Sequence, residues 1–159
     1  AMNLFSLYPR YFLLVLSMAA LCMIGVSGTA TAGDVEALYQ AAGDGKPTEV
    51  VALLKGGVNA NSRTSSGSYA LNAAAVENEV GVIQVLIDYD ADPNVQNRQG
   101  DSPLIFATKY AGGKAETVEV LVKAVTDLGI RDNSGKTALD YAKAKGQREA
   151  IAILERVDS

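Results

Sequence analysis

The chain has 159 residues, with 14 Lys and Arg against 18 Asp and Glu, no His, no Trp, one Cys and a formal net charge of −4. Without His, and with Cys22 inside an apolar N-terminal run, it has no Ser-His-Asp or Cys-His nucleophile and lacks the usual zinc ligands, so no cofactor or metal is expected. The acidic balance opposes nucleic-acid phosphates, and the length suits one domain.

The N-terminus reads "YPRYFLLVLSMAALCMIGVSGTATAGD". One positive charge, Arg10, precedes an apolar run from Tyr11 to Val26, and then Ala30 and Ala32 flank Thr31. That three-part plan predicts a secretory signal peptide over residues 1–32, cleaved after Ala32. Ala1, ahead of Met2, reads as a cloning remnant. The alternative is an uncleaved inner-membrane anchor, since residues 11–32 carry no charge and about 20 apolar residues span a bilayer. The Ser, Gly, Thr and Ala of the last six positions fill hydrocarbon poorly, which favours cleavage. Leu21 stands where a lipoprotein signal has a small residue before its Cys. Removing residues 1–32 takes away only Arg10 among charges, so 14 basic residues become 13 against 18 acidic. The remaining chain has neither Cys nor His, which suits an oxidising export compartment and favours the bacterial periplasm, with secretion as the other possibility.

Beyond the leader the elements come in pairs. "VEALYQAAGDGKPTEVVALLKGGVNAN" reads as a helix, a Gly-rich turn, a second helix and an Asn-x-Asn exit. "GSYALNAA" at 67–74 is followed 33 residues later by "GDSPLIFA" at 100–107, and 35 residues after that by "GKTALDYA" at 135–142. After the second and fourth starts the pattern is a short helix ending near Asn78 or Gly146, then an amphipathic run through Val82, Ile83 and Leu86 or Ala150, Ile151 and Leu154. The third period fits through "TVEVLVKAV" with two extra residues around Gly112 and Gly113; these are expected to bulge away from the hairpins and to be mobile. Ser102 is placed to cap a helix opened by Pro103, with Thr137 and Ala138 doing the same less strictly. Gly45, Asn78 and Gly146 fall where each first helix must stop.

"SPLIFA", "TALDYA" and the exit "DADPN" resemble the ankyrin repeat, a hairpin-like turn followed by two antiparallel helices. The resemblance covers roughly residues 34–156 and implies an all-α ankyrin solenoid of about four helix-turn-helix repeats, at about 34–61, 62–94, 95–129 and 130–156, within a domain at 33–159. The chain departs from the pattern in three ways. Asn72, Ile105 and Asp140 stand where the family usually has His; Tyr69 replaces the capping Thr; Asp90 and Val125 stand where the second helix usually ends in Gly.

Ankyrin proteins bind partners through hairpin tips and the exposed part of the first helices. Carried onto this sequence, the resemblance implies tip contacts at Arg63, Ser65, Ser66 and Ser68, at Gln96, Arg98, Gln99 and Asp101, and at Arg131, Asn133, Ser134 and Lys136. The helix contacts are Val76 and Glu77, Lys109 and Tyr110, and Ala144 and Lys145. Phe106 and Tyr141 read as packing residues; Tyr69 stays open. Three of the five Arg beyond the leader lie on this surface, which predicts a locally basic groove for an acidic protein surface. The pairs Glu77 with Glu79, and Asp88 with Asp90 and Asp92, read as solvated helix ends and turns, and "GDG" and "AGG" are too short for a phosphate loop. The expected function is a non-catalytic protein-binding module of the periplasm, monomeric alone, without nucleic acid and without membrane attachment once cleaved. It would inhibit, neutralise as an immunity protein does, or escort one partner. The alternatives are a secreted effector binding a host protein and an accessory protein of an exported enzyme such as a catalase.

Overall fold

The computed structural model describes residues 30–124 and 126–157. The leader through Thr29, with Arg10 and Cys22, lies outside the described residues, as does Val125. Eight helices appear among the described residues: α1 Ala32–Gly43, α2 Pro47–Lys55, α3 Ala70–Glu77, α4 Val80–Asp88, α5 Pro103–Lys109, α6 Ala115–Lys123, α7 Ala138–Lys145 and α8 Arg148–Val157. There is no strand among the described residues.

The helix starts follow local chemistry. Ser102 accepts a hydrogen bond from the Ile105 amide and Pro103 opens α5. Thr137 does more than the sequence suggests, because Asp140 completes a reciprocal capping box that Ile105 cannot supply to Ser102. Thr31 and Asp34 make the same box on α1. Tyr69 gives α3 no side-chain cap, as its aromatic ring predicts. At the far ends, Asn78 and Gly146 adopt left-handed backbone at φ 62° and 66° and stop α3 and α7. Asp90 reaches φ 61° where a Gly is usual, a conformation that short polar side chains tolerate.

Helices α1, α3, α5 and α7 stack side by side in one layer, and α2, α4, α6 and α8 in a second layer behind it. Residues at equal repeat positions form continuous rows through the stack. Leu38, Leu71 and Leu104 make one row and Ala41, Ala74, Ala107 and Ala142 another, all buried. The Ala row is buried along its whole length, so a larger side chain there would have to displace its packed neighbours. Val50, Ile83 and Val118 make the matching buried row of the second layer. A helical repeat solenoid results, with the hairpin turns projecting from one edge beside the first-helix layer. Among the described residues no helix is long and apolar enough to cross a membrane.

Candidate functional site

The hairpin tips are built by one rule repeated three times. Thr64, Asn97 and Asp132 are the buried polar residues at the tip base. Their amides bond to the carbonyls of Ser68, Asp101 and Lys136, and the amides of Gly67, Gly100 and Gly135 return to their carbonyls. The residue just before each closes the turn by donating across it: Arg63 Nε to Gly67 O at 3.1 Å, Gln96 Nε2 to Gly100 O at 2.7 Å, Arg131 Nη1 to Gly135 O at 2.8 Å. A second residue ties each tip to the one before it. Arg98 Nη2 donates to Ser65 O at 3.0 Å, and Asn133 Nδ2 donates to Arg98 O at the same distance. At the first tip Glu36 of α1 supplies the corresponding tie, its carboxylate accepting from the Ser65 amide and hydroxyl at 2.8 and 2.7 Å. The Ser65 bonds hold the Glu36 carboxyl below its ordinary range.

The interior of the face between the third and fourth repeats holds an ionic network. Lys109 Nζ lies 2.9 Å from Asp101 Oδ1 and 3.2 Å from Asp132 Oδ2. Tyr110 donates its hydroxyl to Asp101 at 3.2 Å and Tyr141 donates to Asp132 at 2.5 Å. Both rings also flank the ammonium, at 5.2 and 5.1 Å from their centroids. Burial opposes the Lys109 charge, but the bonds to Asp101, Tyr110 and Asp132 outweigh it and raise its pKa far above the usual lysine value. Burial likewise pushes the Asp132 carboxyl up; bonds from Ser134, Tyr141, the Lys136 amide and Lys109 outweigh that and hold it well below the carboxylate range.

Several expected contacts change role here. Asp101 is a correction: its carboxylate is fully buried beneath Lys109 and Tyr110 and no partner reaches it. The Lys109 head is neutralised by two carboxylates, so the inner face is not basic at this point. The three arginines do not form one uniform row. Arg63 and Arg98 converge on the Ser65–Gly67 turn, whereas Arg131 sits on its own turn, 3.8 Å from Asp140. Ser65, Ser66, Gln96, Gln99, Asn133, Lys136, Lys145, Glu77 and Tyr110 are exposed, and Val76 is half-buried. Val76 and Glu77 line a shallow cleft of ≈ 370 Å³ between α1 and α3 with Tyr39 and Gln40. Lys145 donates to the Lys109 carbonyl. The Asp132–Tyr141 pair was within reach of the sequence: Asp101–Tyr110 and Asp132–Tyr141 are both nine residues apart.

A family model for ankyrin repeats in three copies matches residues 38–131 and 81–156, overlapping spans that include every hairpin described above. The chain is an ankyrin repeat protein. Similar proteins include human ankyrin repeat domain-containing protein 63, 31% identical over 106 residues, which is 64% of this chain and 27% of that protein. The mouse inactive serine/threonine-protein kinase TEX14 is 30% identical over 129 residues, 80% of this chain and 9% of that one. Zebrafish (Danio rerio) neurogenic locus notch homolog protein 1 is 34% identical over 119 residues, 74% of this chain and 5% of that one. The chain thus spans about a quarter or less of these relatives. What is shared is the repeat array, and ankyrin repeats make a protein-binding module.

Proposed function

We propose that this ankyrin protein is exported and that its tip and first-helix face docks one protein with an acidic surface, inhibiting, neutralising or escorting it in the bacterial periplasm. The face carries the reading. It combines exposed tips braced by main-chain bonds, the exposed ring of Tyr110 and the Val76 cleft, so its contacts are held in place before a partner arrives. Export rests on the leader. Cleavage after Ala32 would remove Thr31 and its capping box from α1, at a cost of about 1 kcal/mol in the first helical turn.

The test places a photoreactive residue at Val76, at Tyr110 or, on the second-helix layer, at Lys123, and fractionates the expressing bacterium. Crosslinks to one protein from positions 76 and 110 but not 123, in periplasmic material whose mass begins at Gly33, are expected. Crosslinks only from 123 would move the docking face to the other layer, and full-length protein retained in the membrane would remove the export reading.

A further inference from the structure

The cations of the tip face differ in what already holds them. Lys109 is shared between Asp101 and Asp132. Arg131 has Asp140. The Lys136 ammonium lies 5.4 Å over the Tyr141 ring, and Lys145 is drawn to a main-chain carbonyl. Among these cations, Arg63 and Arg98 are the two that bond to one and the same turn. Among the described residues neither has a carboxylate within 4.0 Å.

Both are nevertheless fixed, and fixed to the same turn. Arg63 bonds through Nε to Gly67 O over the Tyr69 ring, at 6.0 Å from its centroid. Arg98 reaches across from the next repeat to Ser65 O, and its stem lies on Gly67 so closely that a Cβ there would meet Nε at 2.6 Å. Each guanidinium has five N–H donors, so one main-chain bond leaves most of them free. Two like charges held on one exposed turn repel one another, and an anion seated between them relieves that repulsion. Hydroxyl chemistry is not what the turn offers, because Ser65 is engaged by Glu36 and Ser66 by Thr64. Glu36, the carboxylate that reaches this tip from α1, is held by Ser65 and leaves both arginines unpaired.

We propose that Arg63 and Arg98 form a two-guanidinium anchor over the Ser65–Gly67 turn that grips neighbouring Asp or Glu carboxylates on one segment of the partner protein. The planar guanidinium fork matches carboxylates bidentately, and two forks suit two adjacent acidic side chains better than one. This rests on the docking reading above, but it moves the recognition of charge from the whole tip row to a single turn.

The test titrates a hexa-aspartate peptide into the 15N-labelled full chain and follows the arginine Nε–Hε signals. Those of Arg63 and Arg98 are expected to move together and to saturate at a concentration at least ten-fold below any response of Arg131, Arg148 or Arg156. Arg98→Gln should abolish the saturable response of Arg63 in a chain that still unfolds in one cooperative transition. Equal drift of the signals of Arg63, Arg98, Arg131, Arg148 and Arg156 would overturn the anchor, as would an intact Arg63 response in the Arg98→Gln chain. Saturation by inorganic phosphate at or below the peptide concentration would overturn the assignment to carboxylates. Crosslinks from positions 76 and 110 with no peptide response would sink the anchor alone; a peptide response without such crosslinks would support the anchor and sink the docking reading.

Discussion

Asp101 and Lys109 read as surface charges in the sequence and cancel one another in the fold. Sequence gives a residue's charge and its place in the repeat; it does not give the third partner, Asp132, which arrives from the next repeat. Replacing Lys109 with Met would leave two buried carboxylates without their cation, and about 3 kcal/mol of stability should be lost, read from urea unfolding. The network also sets a pH response. Asp132 has a depressed folded pKa, so its contribution is complete above the ordinary aspartate value of about 4 and fades as pH falls through the folded one. Lys109 has a raised folded pKa, so its contribution is complete below about 10.4 and fades as pH rises through the folded one. Between those limits neither group makes stability depend on pH. Urea midpoints at pH 7 and pH 3 should separate in the wild type and draw together in Asp132→Asn; an unchanged separation would assign the acid loss to other carboxylates. A second buried residue has the opposite character. Asn72 is fully buried, and neither its Nδ2 nor its Oδ1 has a hydrogen-bond partner among the described residues. Asn72→Leu removes both unpaired atoms at similar size, and a gain of about 1 kcal/mol in the same urea assay is expected. A loss would show that packing, not polarity, governs the slot.

The helix boundaries were the most legible elements, because caps and stops act within four residues. Ser102, Pro103, Asn78 and Gly146 each do locally what their chemistry dictates. The turn after α5 was legible only as an insertion, because its role depends on the following repeat. Its ends are tied: Asn78 Nδ2 donates to Ala111 O at 3.4 Å, Gln147 Nε2 to Thr108 O at 2.8 Å, and the Gly113 amide to Ala107 O at 2.8 Å. The two glycines are not equivalent. Gly112 is exposed at φ 80° with nothing near a would-be Cβ, whereas at buried Gly113, φ 64°, a Cβ would meet Gln147 Oε1 at 2.2 Å and Ala150 Cβ at 3.3 Å. Gly112→Ala should therefore cost about 1 kcal/mol, from backbone strain alone. Gly113→Ala should cost about 2 kcal/mol, because Gln147 must also leave its bond to Thr108. Equal costs in thermal unfolding would show the turn to be the loose bulge that its two glycines suggest.

At the scale of the whole molecule, a solenoid is as cooperative as the contacts between neighbouring repeats make it. The apolar rows supply most of that contact without distinguishing one junction from another. The exits Asn59–Asn61 and Asp92–Asn94 supply a junction-specific part. Asn61 donates to Asp90 O at 2.8 Å and accepts from the Asp92 amide at 2.7 Å; Asn94 accepts from the Asp127 amide at 2.7 Å. Gly129 occupies the equivalent slot one repeat later, its amide bonded to Asp127 Oδ1 as the Asn94 amide is to Asp92 Oδ1, and it has no side chain to extend the row. Asn94→Ala should thus weaken one junction, that between the second repeat and the third. Losing a single bond of this kind costs about 1 kcal/mol, too little to unfold the protein. Its effect should appear as lost coupling: amides of α5 to α8 exchange faster by opening as a unit, while those of α1 to α4 keep their protection. Gln84→Ala is the control, since it removes a side-chain bond within α4, to Asp88 at 2.8 Å, and crosses no junction. Hydrogen exchange that rises equally over the whole array in Asn94→Ala would show that the repeats unfold as one block and that the asparagine clamp contributes only to the total.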